Sequence, residues 1–465
     1  GRPVAVLVDF QPYFAMKNDI YTRLWEDYGV DSLHAYGDYD EASMFSYAAG
    51  LVVESYYNHV LKGQCEHVVY QAHEWMTGLG ALYIQKHVPE VATIFTTHAT
   101  TIGRSIAGNH KPLYEYLFAY NGNQMAQELN VQSKHSIERE TAHHVDCFTT
   151  VSEVTNRECA ELLDKPADVV LMNGFEKDFV PSKALFARKR REARRKLREV
   201  AGALLGTEFD DDVMIISTSG RYEFRNKGID LYMEAMNRSL RNKDLTRKIL
   251  AFVQVPGWVC CPREDLKERL DSGKACDTPL QWPLLTHWLH EMSHDQVIDY
   301  MKRYNMWNQP EDKVKVIFVP CYLDGADGIF NMHYYDLLIG MDLTVYASYY
   351  EPWGYTPLES VAFHVPCVTT NLSGFGLWVN QLLGKEGELA DGVQVVRRTD
   401  YNSSEVADAI KDAITAYSAF TPHEVENIRH KAADISEHAL WKHFIQYYYQ
   451  AYDLALHKAK QRRGR

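Results

Sequence analysis

The chain has 465 residues, 46% of them hydrophobic, which is enough for two or three domains with buried cores. Its formal net charge of -13 argues against a general affinity for nucleic acid or for an anionic membrane surface. No stretch resembles a membrane-spanning helix, and the eight cysteines form no paired CxxC set, so we expect a cytoplasmic protein with free thiols rather than disulfides or a zinc site.

The first part of the chain alternates short β-branched runs with helical patterns, which is typical of a parallel α/β fold. The chain starts without methionine and with an apolar run that has no lead-in, so we interpret it as an incomplete or processed N-terminus. We assign residues 1–181 to an N-terminal domain and place the boundary near Pro181 and Ser182. The predicted strands are 4–8, 67–73, 91–97, 147–152 and 169–174.

The same alternation restarts after a basic helical stretch and predicts a second parallel sheet in a C-terminal domain, 182–437. The segment 256–312 has weak periodicity and is interpreted as an insertion. An aromatic-rich helix, 438–465, has one apolar side and is expected to pack across a domain surface. The predicted strands of this part are 213–218, 248–255, 314–319, 343–348, 367–371 and 393–397.

Two charged runs are interpreted as having no role in ligand binding. The basic run in "FARKRREARRKLRE", 186–199, has apolar residues at helical spacing and indicates the solvated face of an amphipathic helix, with a polyanion or regulatory site as the alternative. The acidic run "FDDD", 209–212, precedes a predicted strand and therefore lies at the end of the sheet away from ligands. We interpret it as a turn rather than a metal site.

Two cations share the loop that follows the strand at 213–218. Arg221 and Lys227 stand between Gly220 and Gly228, whose backbones leave room for close approach, and this arrangement suits a diphosphate. A surface loop whose charges pair with Glu223 explains the same pattern equally well. The residues alone leave both interpretations open.

The stretch "SYYEPWGYTPLES", 348–360, places a carboxylate, Glu351, between a predicted strand and a predicted helix. Gly354 allows a tight turn, and Thr356 followed by proline predicts an N-cap with the helix beginning at Pro357. The amides at such a helix start would hold a phosphate without a metal. Glu359 fits either a capping box or a carboxylate that accepts hydrogen bonds from ribose hydroxyls.

Polar residues also follow the strands of the N-terminal domain. His98 and Arg104 come after the strand at 91–97 and are candidate ligand contacts, and His73 ends the preceding strand within "AHEW". Asn173 ends the last strand of this domain, and "SGFG", 373–376, forms a further flexible loop of the second sheet. Neither domain opens with GxGxxG, which disfavours a dinucleotide-binding dehydrogenase.

Taken in order, these motifs resemble the glycogen synthases, the retaining glycosyltransferase family of fungal, animal and some bacterial enzymes. The resemblance implies the GT-B architecture, in which two Rossmann-like, doubly wound parallel-sheet domains face a cleft and a final helix returns to the first domain. The stretches that carry it are "HEWMTGLGALYIQK", "VATIFTTHATTIGR", "VDCFTTVSEVTNRECAELL", "MNGFEKDF", "GRYEFRNKGIDLYMEAM", "SYYEPWGYTPLES" and "TTNLSGFG".

The chemistry that the resemblance implies is transfer of glucose from a nucleotide sugar, usually UDP-glucose, to the nonreducing 4-hydroxyl of an α-1,4-glucan. Arg221 and Lys227 would neutralise the leaving diphosphate, so no metal or other cofactor is expected. Glu351 matches the active-site glutamate of the family, as nucleophile or as electrostatic stabiliser. His98 would act in the transfer. The resemblance assigns donor binding to Arg104, Gly354, Tyr355, Thr356, Glu359 and Asn173.

Two departures from the family pattern are visible. The glycine-rich loop that the family carries near its N-terminus has no counterpart, so part of the site is expected to lie outside this chain, whose own activity is therefore in doubt. The arginine cluster that binds glucose 6-phosphate in eukaryotic members is reduced to Arg429, Lys431 and Lys442, which favours a bacterial-type enzyme. A tetramer is the family expectation. Another GT-B transferase and a noncatalytic nucleotide-sugar or glucan-binding protein are the alternatives.

Overall fold

A computed structural model describes residues 3–274 and 276–463 and divides the chain into two compact units. Unit 1 comprises Gly1–Gly174 and Lys442–Arg465, and unit 2 comprises Phe175–Trp441. The first division therefore falls before Phe175 rather than near Pro181. Phe175 donates its backbone N–H to Ala439 and accepts one from Trp441, so the residues after Gly174 are tied to unit 2.

Unit 1 is built on a four-stranded parallel sheet in the order β1-β2-β3-β4. Its core contains stacked aromatic rings from neighbouring strands, Phe95 on β2 and Phe148 on β3, both fully buried. Each strand is flanked by helical segments, as expected of parallel pairs that need crossover connections. The strands are β1 (Val69–His73), β2 (Ala92–Thr97), β3 (Cys147–Thr150) and β4 (Val169–Val170).

The predicted strand at 4–8 is wrong. Residues 3–10 are irregular, and the side chains of Val4 and Leu7 are 91% and 98% exposed. A β-branched run becomes a strand only where a neighbouring strand supplies hydrogen bonds and a surface to pack on. No strand that the structure describes pairs with this segment.

The described residues of unit 1 form eight helices, and the last of them packs against the sheet. In this C-terminal helix Ala451, Ala455 and Ala459 recur every four residues and pack against the sheet residues Ile94 and Cys147. Small side chains at this spacing let the helix approach the strands closely. The helices are α1 (Lys17–Tyr28), α2 (Tyr39–Tyr56), α3 (Gly78–His87), α4 (Thr101–Gly108), α5 (Gly122–Glu128), α6 (Gln132–His144), α7 (Glu153–Leu162) and the C-terminal helix (Trp441–Arg463).

Unit 2 contains a six-stranded, wholly parallel sheet in the order β12-β11-β10-β5-β6-β9. The strand order reverses between β5 and β10, because later strands are added on both sides of this pair. The segment 256–312 adds a two-stranded antiparallel ribbon, β7-β8, and two helices. The strands are β5 (Met214–Ser219), β6 (Ile249–Gln254), β7 (Val259–Pro262), β8 (His287–Leu289), β9 (Val314–Val319), β10 (Leu343–Val345), β11 (Cys367–Thr370) and β12 (Val393–Val396).

In unit 2 the basic helix α8 is bound to the start of β10 by largely buried ion pairs. Arg190 and Arg194 of α8 both bond the carboxylate of Asp342, at 2.7 and 2.8 Å, so part of the basic run is structural rather than solvated. The helices are α8 (Lys183–Leu205), α9 (Ile229–Ser239), α10 (Glu264–Ser272), α11 (Gln296–Arg303), α12 (Tyr334–Leu338), α13 (Tyr355–Ala362), α14 (Gly374–Leu383), α15 (Ser403–Ala419) and α16 (Pro422–His438).

Shorter helical turns complete the secondary structure. A π-helical turn, Tyr57–Leu61, continues α2. The 3-10 turns are Gln11–Met16, Trp75–Thr77, Leu117–Ala119, Lys177–Phe179 and Leu389–Asp391. Across the described ranges, each helix is too short or too polar to serve as a membrane span.

Candidate functional site

The loop after β5 separates its two cations. Arg221 pairs with Glu223 at 3.1 Å and its side chain is 59% exposed, which is the arrangement of the surface-loop interpretation. Lys227 instead lies inside unit 2, with its side chain 12% exposed. Gly228 has φ +70° and an added Cβ would lie 1.9 Å from the carbonyl oxygen of Ala347, so only glycine allows this close approach to the strand-end loop after β10.

A largely buried ion pair joins this loop to the one after β10. The Nζ atom of Lys227 lies 2.6 Å from Oε2 of Glu351, whose side chain is 14% exposed. The carbonyl of Asn226 accepts the backbone N–H groups of Tyr349 and Tyr350, which fixes the two loops to each other. The structure therefore brings together two of the predicted catalytic residues, a cation and a carboxylate, at the carboxyl edge of the second sheet.

Helix α13 begins earlier than predicted. Gly354, at φ +110°, is the N-cap and Tyr355 is the first helical residue, so Thr356 lies in the first turn rather than at the cap. The left-handed conformation of Gly354 turns the chain sharply enough for helical geometry to start two residues before Pro357. Proline is tolerated there because the first-turn N–H groups have no intrahelical partner. As at any helix start, the free amides of this first turn point out of the helix.

The capping-box interpretation of Glu359 is wrong because the N-cap is Gly354, five residues before Glu359 rather than three. The Glu359 carboxylate instead accepts a hydrogen bond from the Tyr335 hydroxyl at 2.8 Å. Burial raises the pKa of Glu359 to about 7, and the bond from Tyr335 offsets part of that rise. A carboxyl group whose pKa is raised toward neutral by burial is a candidate for a functional site.

The loop after β11 packs against the same turn; it ends at Ser373, where α14 begins, so the predicted flexible loop at 373–376 is wrong. The N–H of Gly374 donates to the carbonyl of Glu351 at 3.1 Å, and the Ser373 hydroxyl donates to the carbonyl of Trp353 at 2.9 Å. The backbone around Glu351 is thus held from both sides, by the Lys227 loop and by this loop. Such support keeps a functional side chain in one geometry.

A cavity of about 350 Å³ opens beside these loops within unit 2. It lies beyond the carboxyl ends of β5, β6 and β9, next to the point where the strand order reverses, which is where parallel α/β sheets bind ligands. The first turn of α13 and the loop after β9 complete its wall. Its lining includes Ser219, Arg221, Gln254, Tyr322, Tyr334 and Thr356. Sequence reasoning identified Arg221 and Thr356 but missed Gln254 and both tyrosines, because single polar residues at strand ends carry no motif.

In unit 1 two histidines at the carboxyl ends of β1 and β2 form a pair. Nδ1 of His73 lies 3.0 Å from Nε2 of His98, and burial together with the charge of the neighbouring His73 lowers the pKa of His98 to about 4. Glu74 holds this loop, accepting the backbone N–H of His98 at 2.9 Å from a left-handed backbone conformation, φ +65°. Non-glycine residues adopt that conformation where the surroundings enforce it, often at functional sites.

A buried carboxylate behind this pair escaped the sequence analysis. Glu138 on α6 is fully buried, accepts hydrogen bonds from the Thr97 hydroxyl and the Thr101 N–H, and has a pKa raised to about 8 by burial and by Glu74. The one sequence signal for a buried carboxylate was the position of Glu138 on the apolar side of a helix.

Arg104 and Asn173 occupy different environments. Arg104 is exposed on α4, whereas Asn173, after the short strand β4, is 6% exposed.

One group of three side chains in the described part of the chain lies close enough to hold a metal ion: His287, Cys321 and Asp327. Both ring nitrogens of His287 already have partners, the Thr286 hydroxyl at 2.8 Å and the Asp327 carbonyl at 2.9 Å. The Asp327 carboxylate accepts three backbone N–H groups of the following turn. This cluster is therefore internally satisfied and stabilises the loop after β9.

The chain is similar to known glycogen synthases along nearly its whole length. Residues 1–261 and 264–463 match the family model described as Glycogen synthase. The glycogen [starch] synthase of Neurospora crassa is 27% identical over an alignment that covers 99% of this chain and 72% of that protein. The liver glycogen [starch] synthase of Rattus norvegicus is 26% identical, with coverage of 99% and 72%.

Solved glycosyltransferase structures share the fold. The catalytic domain of starch synthase IV from Arabidopsis thaliana, bound to ADP and acarbose, superimposes with a TM-score of 0.54 at 13% identity, covering 90% of this chain and 78% of that one. Sucrose-phosphate synthase from Thermosynechococcus elongatus gives a TM-score of 0.50 at 15% identity, covering 94% and 81%. At these identities the likeness shows the GT-B fold.

Proposed function

Because the chain belongs to the glycogen synthase family of hexosyltransferases, we propose that it transfers glucose from UDP-glucose to the nonreducing 4-hydroxyl of an α-1,4-glucan, with retention of the anomeric configuration. One observation carries the proposal. Lys227 and Glu351 form a buried ion pair at 2.6 Å beside the start of α13, at the carboxyl edge of the unit 2 sheet. A phosphate-binding cation and a carboxylate for the reacting sugar are thus adjacent.

The leaving diphosphate would be stabilised by fixed positive charge. Lys227 would divide its interactions between Glu351 and the diphosphate. Arg221 must exchange its exposed partner Glu223 for the ligand, at little cost because exposed ion pairs contribute at most about 1 kcal/mol. The amides of Gly354, Tyr355 and Thr356 add hydrogen bonds and the positive end of the helix dipole. Neutralisation by these groups makes a dication unnecessary in this proposal, so addition of a chelator should leave turnover unchanged.

Glu351 would act on the sugar rather than on the phosphate. As the bond to the leaving phosphate breaks, positive character develops at the anomeric carbon, and a nearby carboxylate stabilises it. We favour this electrostatic and orienting role over a covalent one. The departing phosphate would then accept the proton of the attacking 4-hydroxyl on the same face of the sugar, which accounts for retention without a covalent intermediate.

Glu359 would bind the ribose. Among the residues that the structure describes, the Tyr335 hydroxyl is the donor to this carboxylate, which in its ionised form has further acceptor positions for the two ribose hydroxyls.

For unit 1 we propose the roles that the family resemblance implies: His98 in the transfer step, and Arg104 and Asn173 in donor binding. The pair that His98 forms with His73 would hold its ring orientation. Variants of His98 should lower kcat, and variants of Arg104 should raise KM for the donor.

The test is a transfer assay with UDP-glucose or ADP-glucose and a maltooligosaccharide acceptor, with the anomeric configuration of the product read by NMR. Arg221→Ala should lower kcat/KM about a hundredfold, as removal of a donor to a developing anion does. Arg188→Ala is the matched control, because Arg188 is equally exposed, at 59%, and also pairs with a glutamate, but lies on α8. Equal effects of the two variants, or inversion at the anomeric carbon, would contradict the proposal.

A further inference from the structure

Gln254, the last residue of β6, carries a buried amide without protein partners. Gln254 is 4% exposed, and neither its side-chain oxygen nor its side-chain nitrogen has a hydrogen-bond partner among the residues that the structure describes. Buried polar groups are almost always paired, because an unmet donor or acceptor loses its bonds to water and gains nothing in return. Two unmet groups on one side chain therefore indicate a partner outside the protein.

The position of Gln254 shows where that partner would be. In the register of the sheet Gln254 lies opposite Ser219 on β5 and Val319 on β9, and its side chain lines the cavity of about 350 Å³. The neighbouring Ser219 hydroxyl is already bonded to the Tyr334 hydroxyl at 2.7 Å. Gln254 is thus a polar group of the cavity wall whose bonding capacity is unused.

The chemistry of the amide restricts the ligand group. A phosphate offers only acceptors and would leave the amide oxygen unmet, whereas the edge of a nucleobase presents a donor and an acceptor side by side, as the amide does. Tyr322, 75% exposed on the loop after β9, adds an aromatic face to the same cavity, on which a flat ring can stack. Arg221 also lines the cavity, so the diphosphate of the same ligand would lie on the Arg221 side of it.

We propose that Gln254 is a specificity-determining residue that hydrogen-bonds the base of the donor nucleotide. With uracil, the amide nitrogen would donate to O4 and the amide oxygen would accept the N3–H. The inference rests on the proposed function, since it presumes that a nucleotide occupies this cavity.

The experiment is calorimetric titration of the full chain and of Gln254→Met with UDP, with UDP methylated at N3, with ADP and with inorganic pyrophosphate. Methionine keeps the length of glutamine but cannot form these bonds. We expect Gln254→Met to weaken UDP binding tenfold to a hundredfold and to leave pyrophosphate binding unchanged. N3 methylation should weaken binding to the native chain by a similar factor and have no effect on the variant.

Gln394→Met is the matched control, because Gln394 is a partly buried strand glutamine on β12 of the same sheet and does not line the cavity. It should leave all four affinities unchanged. The inference is overturned if Gln254→Met leaves UDP and ADP binding unchanged, or if it weakens pyrophosphate as much as the nucleotides. If the native chain binds pyrophosphate but neither nucleotide, the proposed function itself fails, and this result is distinct from the others.

Discussion

Replacing Lys227 with methionine is expected to destabilise unit 2 by about 3 kcal/mol at pH 7. The substitution removes the cation 2.6 Å from the Glu351 carboxylate, whose side chain is only 14% exposed. Removing one partner of a buried pair costs about 3–5 kcal/mol, because the remaining charge is left desolvated and unpaired. The lower end applies here, since both side chains keep some contact with solvent. Urea unfolding followed by fluorescence and circular dichroism measures the change.

A double-mutant cycle separates the pair from other effects of the substitution. Lys227→Met combined with Glu351→Gln removes the orphaned charge, so we expect a coupling energy of about 2 kcal/mol. The matched control is Lys385→Met, because Lys385 and Asp391 are also 2.6 Å apart but Lys385 is 49% exposed. This control should cost less than about 1 kcal/mol.

The same pair predicts opposite effects on ligand binding. Lys227→Met should weaken UDP binding about a hundredfold, whereas Glu351→Gln should strengthen it several-fold, because the carboxylate no longer competes with the diphosphate for Lys227. The reasoning is refuted if Lys227→Met is no more destabilising than Lys385→Met, if the coupling energy is near zero, or if Glu351→Gln weakens UDP binding.

Three further outcomes are expected. Burial raises the pKa of Glu359 from 4.5 to about 7. The contribution of this group to the free energy of unfolding is therefore complete below pH 4.5 and is lost, by up to about 3 kcal/mol, as the pH rises through 7. Glu359→Gln should remove this pH dependence, measured by urea unfolding at pH 5 and at pH 8. Asp342→Ala leaves two largely buried arginines of α8 without their shared carboxylate and should cost about 3–5 kcal/mol, measured by thermal unfolding. Gly228→Ala should cost more than about 3 kcal/mol, because its Cβ would meet the Ala347 carbonyl at 1.9 Å, whereas Gly384→Ala, at a similar φ but in open space, should cost about 1 kcal/mol.

Much of the fold follows from patterns within short stretches of contiguous sequence. The apolar runs in both parts of the chain became the strands of two parallel sheets, and the loops singled out after β2, β5 and β10 stand at carboxyl ends. These features are local, since a period of two or of 3.6 residues and the turn preference of a glycine depend on contiguous sequence. Glu351 and Lys227 were selected on that basis, and their loops do meet.

Tertiary contacts decided the rest. Residues 4–8 have strand composition but no partner strand, and the start of α13 moved to Tyr355 because the turn at Gly354 is held by loops distant in sequence. Arg221 and Lys227 look equivalent in the sequence, yet one is exposed and the other buried. Burial, ion pairing and the unmet bonds of Gln254 depend on which distant residues pack nearby, and a single sequence does not specify those neighbours.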